Sequence, residues 1–185
     1  SAQGGLPNGD THVRVALAAA YCPQGGTNPI HARSTRFRTM EGEVAEAVLS
    51  ILDDSRSAGR PLLLGTDANA IASMRDTWST HAEPRTDASI SRWIQAGLCD
   101  TFRILHPEVQ VATYYSTHGD GASRLDYILS TAPQHLAPVG AAIHVGAVWP
   151  FDHHPVLADF WGASAPQPSA VKEFGVKWKR FQEDL

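Results

Sequence analysis

Three groups of residues have the types and spacing to do chemistry: Asp67-Ala68-Asn69, the single acid Asp126, and Asp152-His153-His154-Pro155. In extended backbone, residues two apart project to one side, so a carboxylate at 67 and a carboxamide at 69 would face a common point. A carboxylate placed so can orient a water or bind a metal, and a carboxamide can donate to a phosphoryl oxygen. The same D-x-N spacing is also that of an Asx turn, and taken alone it does not choose between the two. Asp126 stands in an apolar stretch, Arg124-Leu125-Asp126-Tyr127-Ile128-Leu129. An ionised carboxylate is costly to bury unpaired, so Asp126 either faces solvent or meets a specific partner. An acid beside an imidazole, ahead of Val156-Leu157-Ala158, can form a metal and general acid/base pair. Paired histidines are equally ordinary in surface loops.

The elements around these groups place them at successive strand ends. Thr11 to Ala20 alternates His12 and Arg14 with Val13, Val15 and Leu17, then turns small and apolar, which predicts a strand entering a core. Tyr21-Cys22-Pro23 ends it, because proline removes a ladder donor. From Ser34 to Ala58, Phe37, Met40, Val44, Val48, Ile51 and Leu52 recur at steps of three and four, the spacing of one helix face. Gly59 closes that helix and Pro61 begins the exit. Leu62-Leu63-Leu64 reads as a short buried strand running into Asp67. A second helix is predicted over Asp87 to Ala96 with Ile90, Trp93 and Ile94 inward. Strands follow at 112–116, 125–129, 141–148 and 155–160, rich in β-branched and aromatic residues. Because no helices separate these last strands, the order fits an α/β layered sandwich better than a doubly wound sheet. Glu41, Glu43 and Glu46 lie on the long helix, in the wrong place for a metal. Residues 1–11 read as a mobile start, 12–162 as the domain, 163–170 as a linker and 171–185 as a basic, aromatic tail.

A chain of 185 residues that is 43% apolar predicts one domain with a real core. Its net charge of −4 gives no polyanion-binding footprint. That weakens a pure nucleic-acid-binding module more than an enzyme, since a metal can supply positive charge at a phosphate. Cys22 and Cys99 are too few for a disulfide framework and match no zinc spacing, so they read as reduced intracellular thiols. No apolar run approaches the roughly 18 residues needed to span a bilayer, and no secretory signal is visible. A soluble, intracellular protein with no membrane contact is expected.

Taken together, the segments YCP at 21–23, LLLGTDANA at 62–70, GLCDTFRILHP at 97–107, ATYYS at 112–116, SRLDYIL at 123–129 and DHHPVLADF at 152–160 resemble the endonuclease/exonuclease/phosphatase (DNase I-like) superfamily. The G-x-D-x-N-A, G-L-x-D-T-x-R and T-Y-Y-S forms are most similar to the endonuclease domains of non-LTR retrotransposons. The resemblance covers roughly residues 12–161. It implies a four-layer α/β fold, a β-sandwich flanked by helices, with the active site at one end of the sheets. It also implies metal-assisted attack of water on a phosphodiester of DNA, with Mg²⁺ or Mn²⁺, and a nuclear location for a retroelement protein. By the same resemblance Asp67 orients or deprotonates the water and Asn69 holds the phosphate. Asp126 fixes the imidazole of His153, which contacts the scissile phosphate, while Tyr21 approaches that phosphate. Asp152 is on or near the metal, and Thr113 and Arg124 contact substrate.

The sequence departs from the pattern in two ways. The superfamily's first part supplies an asparagine and a metal-binding glutamate, whereas residues 1–20 offer only Asn8 and Asp10, and Phe151 replaces a serine. The N-terminal part of the domain is therefore expected to be missing. Either that part or another polypeptide would cover an open sheet face. The alternative is a truncated, inactive descendant kept as a structural subunit of a larger assembly.

Overall fold

The structure, a computed structural model, describes residues 14–23, 35–79, 88–116, 121–131, 136–145 and 152–162. The chain runs β1 (Ala16–Tyr21), α1 (Thr35–Ser57), β2 (Leu62–Asp67), a 3₁₀ turn (Met74–Asp76), α2 (Ser89–Gln95), β3 (Leu98–Asp100) and α3 (Thr101–Leu105). It continues through β4 (Tyr114–Tyr115), β5 (Ala122–Ser123), β6 (Asp126–Thr131), β7 (Leu136–Ile143) and β8 (Val156–Gly162). The long helix falls within a residue of its expected bounds. Gly59, at φ 60°, follows it in the left-handed conformation that only glycine adopts without a Cβ penalty.

Four strands make the central sheet, in the order β1-β2-β6-β3, with β1 parallel to β2 and β6 antiparallel to both its neighbours. Two parallel neighbours need a long crossover, and α1 lies in it. The leucine run of β2 alternates in burial rather than being buried throughout. Leu62 and Leu64 enter a core shared with Val48, Leu52, Ile90, Trp93, Leu98, Tyr127 and Leu129. Two polar contacts lock α1 to α2: the Trp93 indole N–H donates to the Ala45 carbonyl (3.2 Å), and the buried Glu41 carboxylate accepts from the Ser89 amide (3.3 Å). Glu46 pairs with Arg92, so neither acid is spare for a metal.

The opposite face of the sheet bears Leu63, Gly65 and Asp67, in register with Leu17, Ala19 and Tyr21 on one side and Ser130, Ile128 and Asp126 on the other. This face is incompletely covered: Leu17 is 78% exposed and Tyr21 64%. The antiparallel pair β7–β8 lies against α3 and beside β6. A small ladder, β4–β5, is widened by single bridges from Thr77 to Ser123 and from Tyr114 to His153.

Several expectations are corrected. The first strand begins at Ala16 rather than Thr11. Ile90 and Trp93 face inward as expected, but Ile94 is 37% exposed, because the short α2 turns only those two into the core. Both β3 and α3 are additional elements, and β7 begins five residues ahead of Ala141. The proposed start (1–11), linker (163–170) and tail (171–185) lie outside the described residues. Both cysteines are free, and burial pushes the Cys22 thiol up to about 11, so it stays protonated and inert at neutral pH. Among the described residues no helix is long and apolar enough to cross a membrane.

Candidate active site

Strand register builds the site. Tyr21, Asp67 and Asp126 are direct cross-strand neighbours on β1, β2 and β6, so the three side chains share one level of the open face. Like charges directly opposite each other are unfavourable. Asp67 shows this: burial raises its carboxyl above the ordinary range and the charge of Asp126 adds to the rise. The Asn69 amide and His153 act in the other direction without cancelling it.

Asp126 has the partner that its place in an apolar strand required. His153 Nδ1 lies 2.8 Å from Asp126 Oδ2, with the two side chains 32% and 21% exposed. A neutral imidazole donating from Nδ1 to a carboxylate keeps Nε2 as its free basic nitrogen. The ring is steadied by Tyr114, centroid to centroid 5.1 Å. One atom each from Asp67, Asp126 and His153 falls within 4.8 Å of the others, a grouping able to hold a metal ion. The donor set suits a hard cation: two oxygens lie side by side, with charge that the neighbouring side chains do not fully balance.

The two readings of D-x-N are both realised. Asp67 Oδ1 accepts the Asn69 backbone N–H at 3.0 Å, closing an Asx turn. That turn sets Asn69 at φ 45°, the only non-glycine residue with positive φ among those described. Asparagine tolerates this region, and such conformations gather at functional sites. Its Nδ2 donates to the Cys22 carbonyl at 2.8 Å, tying the ends of β1 and β2 together.

Three expected roles meet a different geometry. Asp152 is exposed and outside the metal-capable group; its carbonyl accepts from the Tyr115 amide at 3.3 Å. Thr113 is fully buried, and its hydroxyl accepts from the amides of Leu125 (2.9 Å) and Asp126 (3.1 Å), so it presents nothing to a substrate. Arg124 is 1% exposed and bound by carboxylates on both sides: Nε to Asp76 Oδ1 (2.9 Å) and Nη2 to Asp100 Oδ2 (2.5 Å). It lies over the Tyr127 ring, 4.5 Å from its centroid, and cannot double as a substrate contact. Burial opposes its charge, but Asp100 and then Tyr127 and Asp76 overcome that, and its pKa rises.

Asp76 and Asp100 were not singled out from the sequence. Asp100 carried a readable signal: it precedes Thr101-Phe102-Arg103 and caps α3, accepting from the amides of Phe102 and Arg103. Asp76 carried none.

No family model matches the sequence, and no curated protein does. Solved structures do. The chain is similar to the 3′ phosphatase NExo from Neisseria, bound to a product DNA hairpin, at 21% identity and a TM-score of 0.63, over 77% of this chain and 59% of that one. It is similar to an AP endonuclease from Archaeoglobus fulgidus at 22% identity and a TM-score of 0.62, over 78% of this chain and 61% of that one. The chain thus shares the mixed α/β, DNase I-like fold of these structures. It spans less than two thirds of either structure.

Proposed function

We propose that the chain forms part of a divalent-metal phosphodiesterase that cleaves nucleic acid, an endonuclease of the retroelement type. The observation that carries this reading is the convergence of Asp67, Asp126 and His153 at one sheet end, with the Asp126–His153 hydrogen bond formed. Asp126 holds the Nδ1 proton of His153 and turns Nε2 outward, where it can take or give a proton at a phosphoryl oxygen. Asp67 accepts the proton of the attacking water, a task suited by its raised pKa. Asn69, fixed by its Asx turn, would hold the phosphate, and Tyr21, level with Asp67, would approach it. Asp67 and Asp126 would hold Mg²⁺ or Mn²⁺. When bound, such an ion polarises the phosphoryl oxygen as a Lewis acid.

A second reading has its own support: Leu17 and Tyr21 expose apolar surface on the face that carries the site. In that reading the chain is a non-catalytic subunit and the face is a contact for another polypeptide. One experiment separates the two. Protein isolated through a tag on this chain, with any bound partner, should nick supercoiled DNA in Mg²⁺. Nicking should stop with a chelator and in Asp67→Ala or His153→Ala. A folded complex that leaves DNA intact would overturn the enzyme reading in favour of the subunit.

A further inference from the structure

Asp126 and His153 come from segments far apart in sequence, and Thr113 touches both. Its hydroxyl accepts from the backbone N–H groups of Leu125 and Asp126, and its carbonyl accepts from the His154 N–H at 2.6 Å. Its own N–H donates to the Ser123 carbonyl at 3.1 Å. The residue is wholly buried, so no bulk water can replace the hydroxyl. Asp126 is the first residue of β6, and the amides at 125 and 126 rely on this side chain as acceptor where the strand begins. A buried N–H must find a partner, and threonine's stiff χ1 holds the oxygen in place. The backbone that carries the carboxylate and the backbone that carries the imidazole are thereby referred to one residue.

We propose that Thr113 is a positioning residue that fixes the Asp126 carboxylate against the His153 imidazole, acting through the backbone and without touching substrate. Thr113→Val keeps the shape and removes the acceptor, which strands two part-buried donors and frees the start of β6 to shift. Thr113→Ser keeps the acceptor and loses only a methyl group.

The test reads the His153 Nδ1–H proton directly, by NMR of the 185-residue chain. The hydrogen-bonded signal should be present in the wild type, absent in Asp126→Asn, lost or broadened in Thr113→Val and retained in Thr113→Ser. Where nicking is measured, kcat should fall about 100-fold in Thr113→Val, the scale of a small misplacement, with KM little changed, and should recover in Thr113→Ser. The inference rests on the phosphodiesterase reading for kcat alone. The proton signal tests positioning even in a protein that cleaves nothing. A folded Thr113→Val with an unchanged signal would overturn it, as would a Thr113→Ser that loses the signal as fully as valine does. If circular dichroism shows Thr113→Val unfolded, Thr113→Ser decides alone: a retained signal supports the proposal and a lost one overturns it.

Discussion

Arg124 and Asp126 are two residues apart, yet they belong to opposite kinds of site. Around Arg124 the acids are buried and paired: Asp76 is fully enclosed, holds Arg124 and Arg103, and accepts from both the amide and hydroxyl of Ser73 at 3.1 Å. Around Asp126, two carboxylates stand side by side at a partly exposed strand end, with one imidazole bonded to the second of them. Both are built from carboxylates and a nitrogen base. The buried set has its acids paired, and its function is to hold the 3₁₀ turn, the start of α3 and the start of β6 in one arrangement. The exposed set is incomplete, with charge still to be matched by a ligand. What a charged group does follows from how fully its surroundings answer it, and residue type alone does not tell.

The largest effect should come from breaking the buried set. Arg124→Leu would leave Asp100 buried without its cation and Asp76 with Arg103 alone. Removing one partner of such a group costs on the order of 3–5 kcal/mol, out of a total stability of about 5–15 kcal/mol for a domain. Urea unfolding should show a chain that is barely folded or not folded. A loss under about 1 kcal/mol would mean that water or another cation answers those acids, and the contrast between the two regions would collapse.

The incomplete set should behave in the opposite way. His153→Ala should lower nicking roughly 10²- to 10⁴-fold, the range for general acid–base groups, in whichever assembly is active. The urea midpoint should shift little, because the ring is partly exposed and one hydrogen bond is at stake. A variant that loses stability as severely as Arg124→Leu would show His153 to be structural.

The sequence allowed one half of this contrast to be read and hid the other. The convergence of Asp67, Asp126 and His153 is legible because Asp67 ends β2, Asp126 starts β6 and His153 closely precedes β8. The α1 bounds were legible from an unbroken apolar period closed by Gly59. The resemblance assigns Arg124 and Thr113 to substrate. Exposure decided against both, and exposure depends on partners distant in sequence, Asp76 and Asp100 for Arg124, and the amides at 125 and 126 for Thr113. The five-residue α3 was missed because one helical turn carries no period; only its Asp100 cap marked it. Ile94 was placed inward by spacing that a seven-residue helix is too short to enforce.

The smallest effect sharpens the comparison through pH. Asp67 is raised above the ordinary carboxylate range chiefly by burial and then by Asp126, so the folded protein binds that proton more tightly than the unfolded chain does. Between the unfolded value, about 3.9, and the raised folded value, the folded state carries the greater share of protons, and stability falls as pH rises through that window. Above it, the ionised carboxylate is a standing cost to the fold. Asp67→Asn is neutral at every pH and keeps an oxygen to accept the Asn69 amide, so it escapes the cost and preserves the turn. Its Tm should exceed the wild type's by a few degrees at neutral pH, and the gain should vanish as pH falls toward 4. No such gain is expected from Asp100→Asn, whose carboxylate is matched by Arg124; that variant should be less stable at neutral pH. Thermal unfolding of both variants across pH 4 to 8 would check the pair. If Asp67→Asn proved destabilising at neutral pH, Asp67 would belong with the buried set, its charge already answered within the chain.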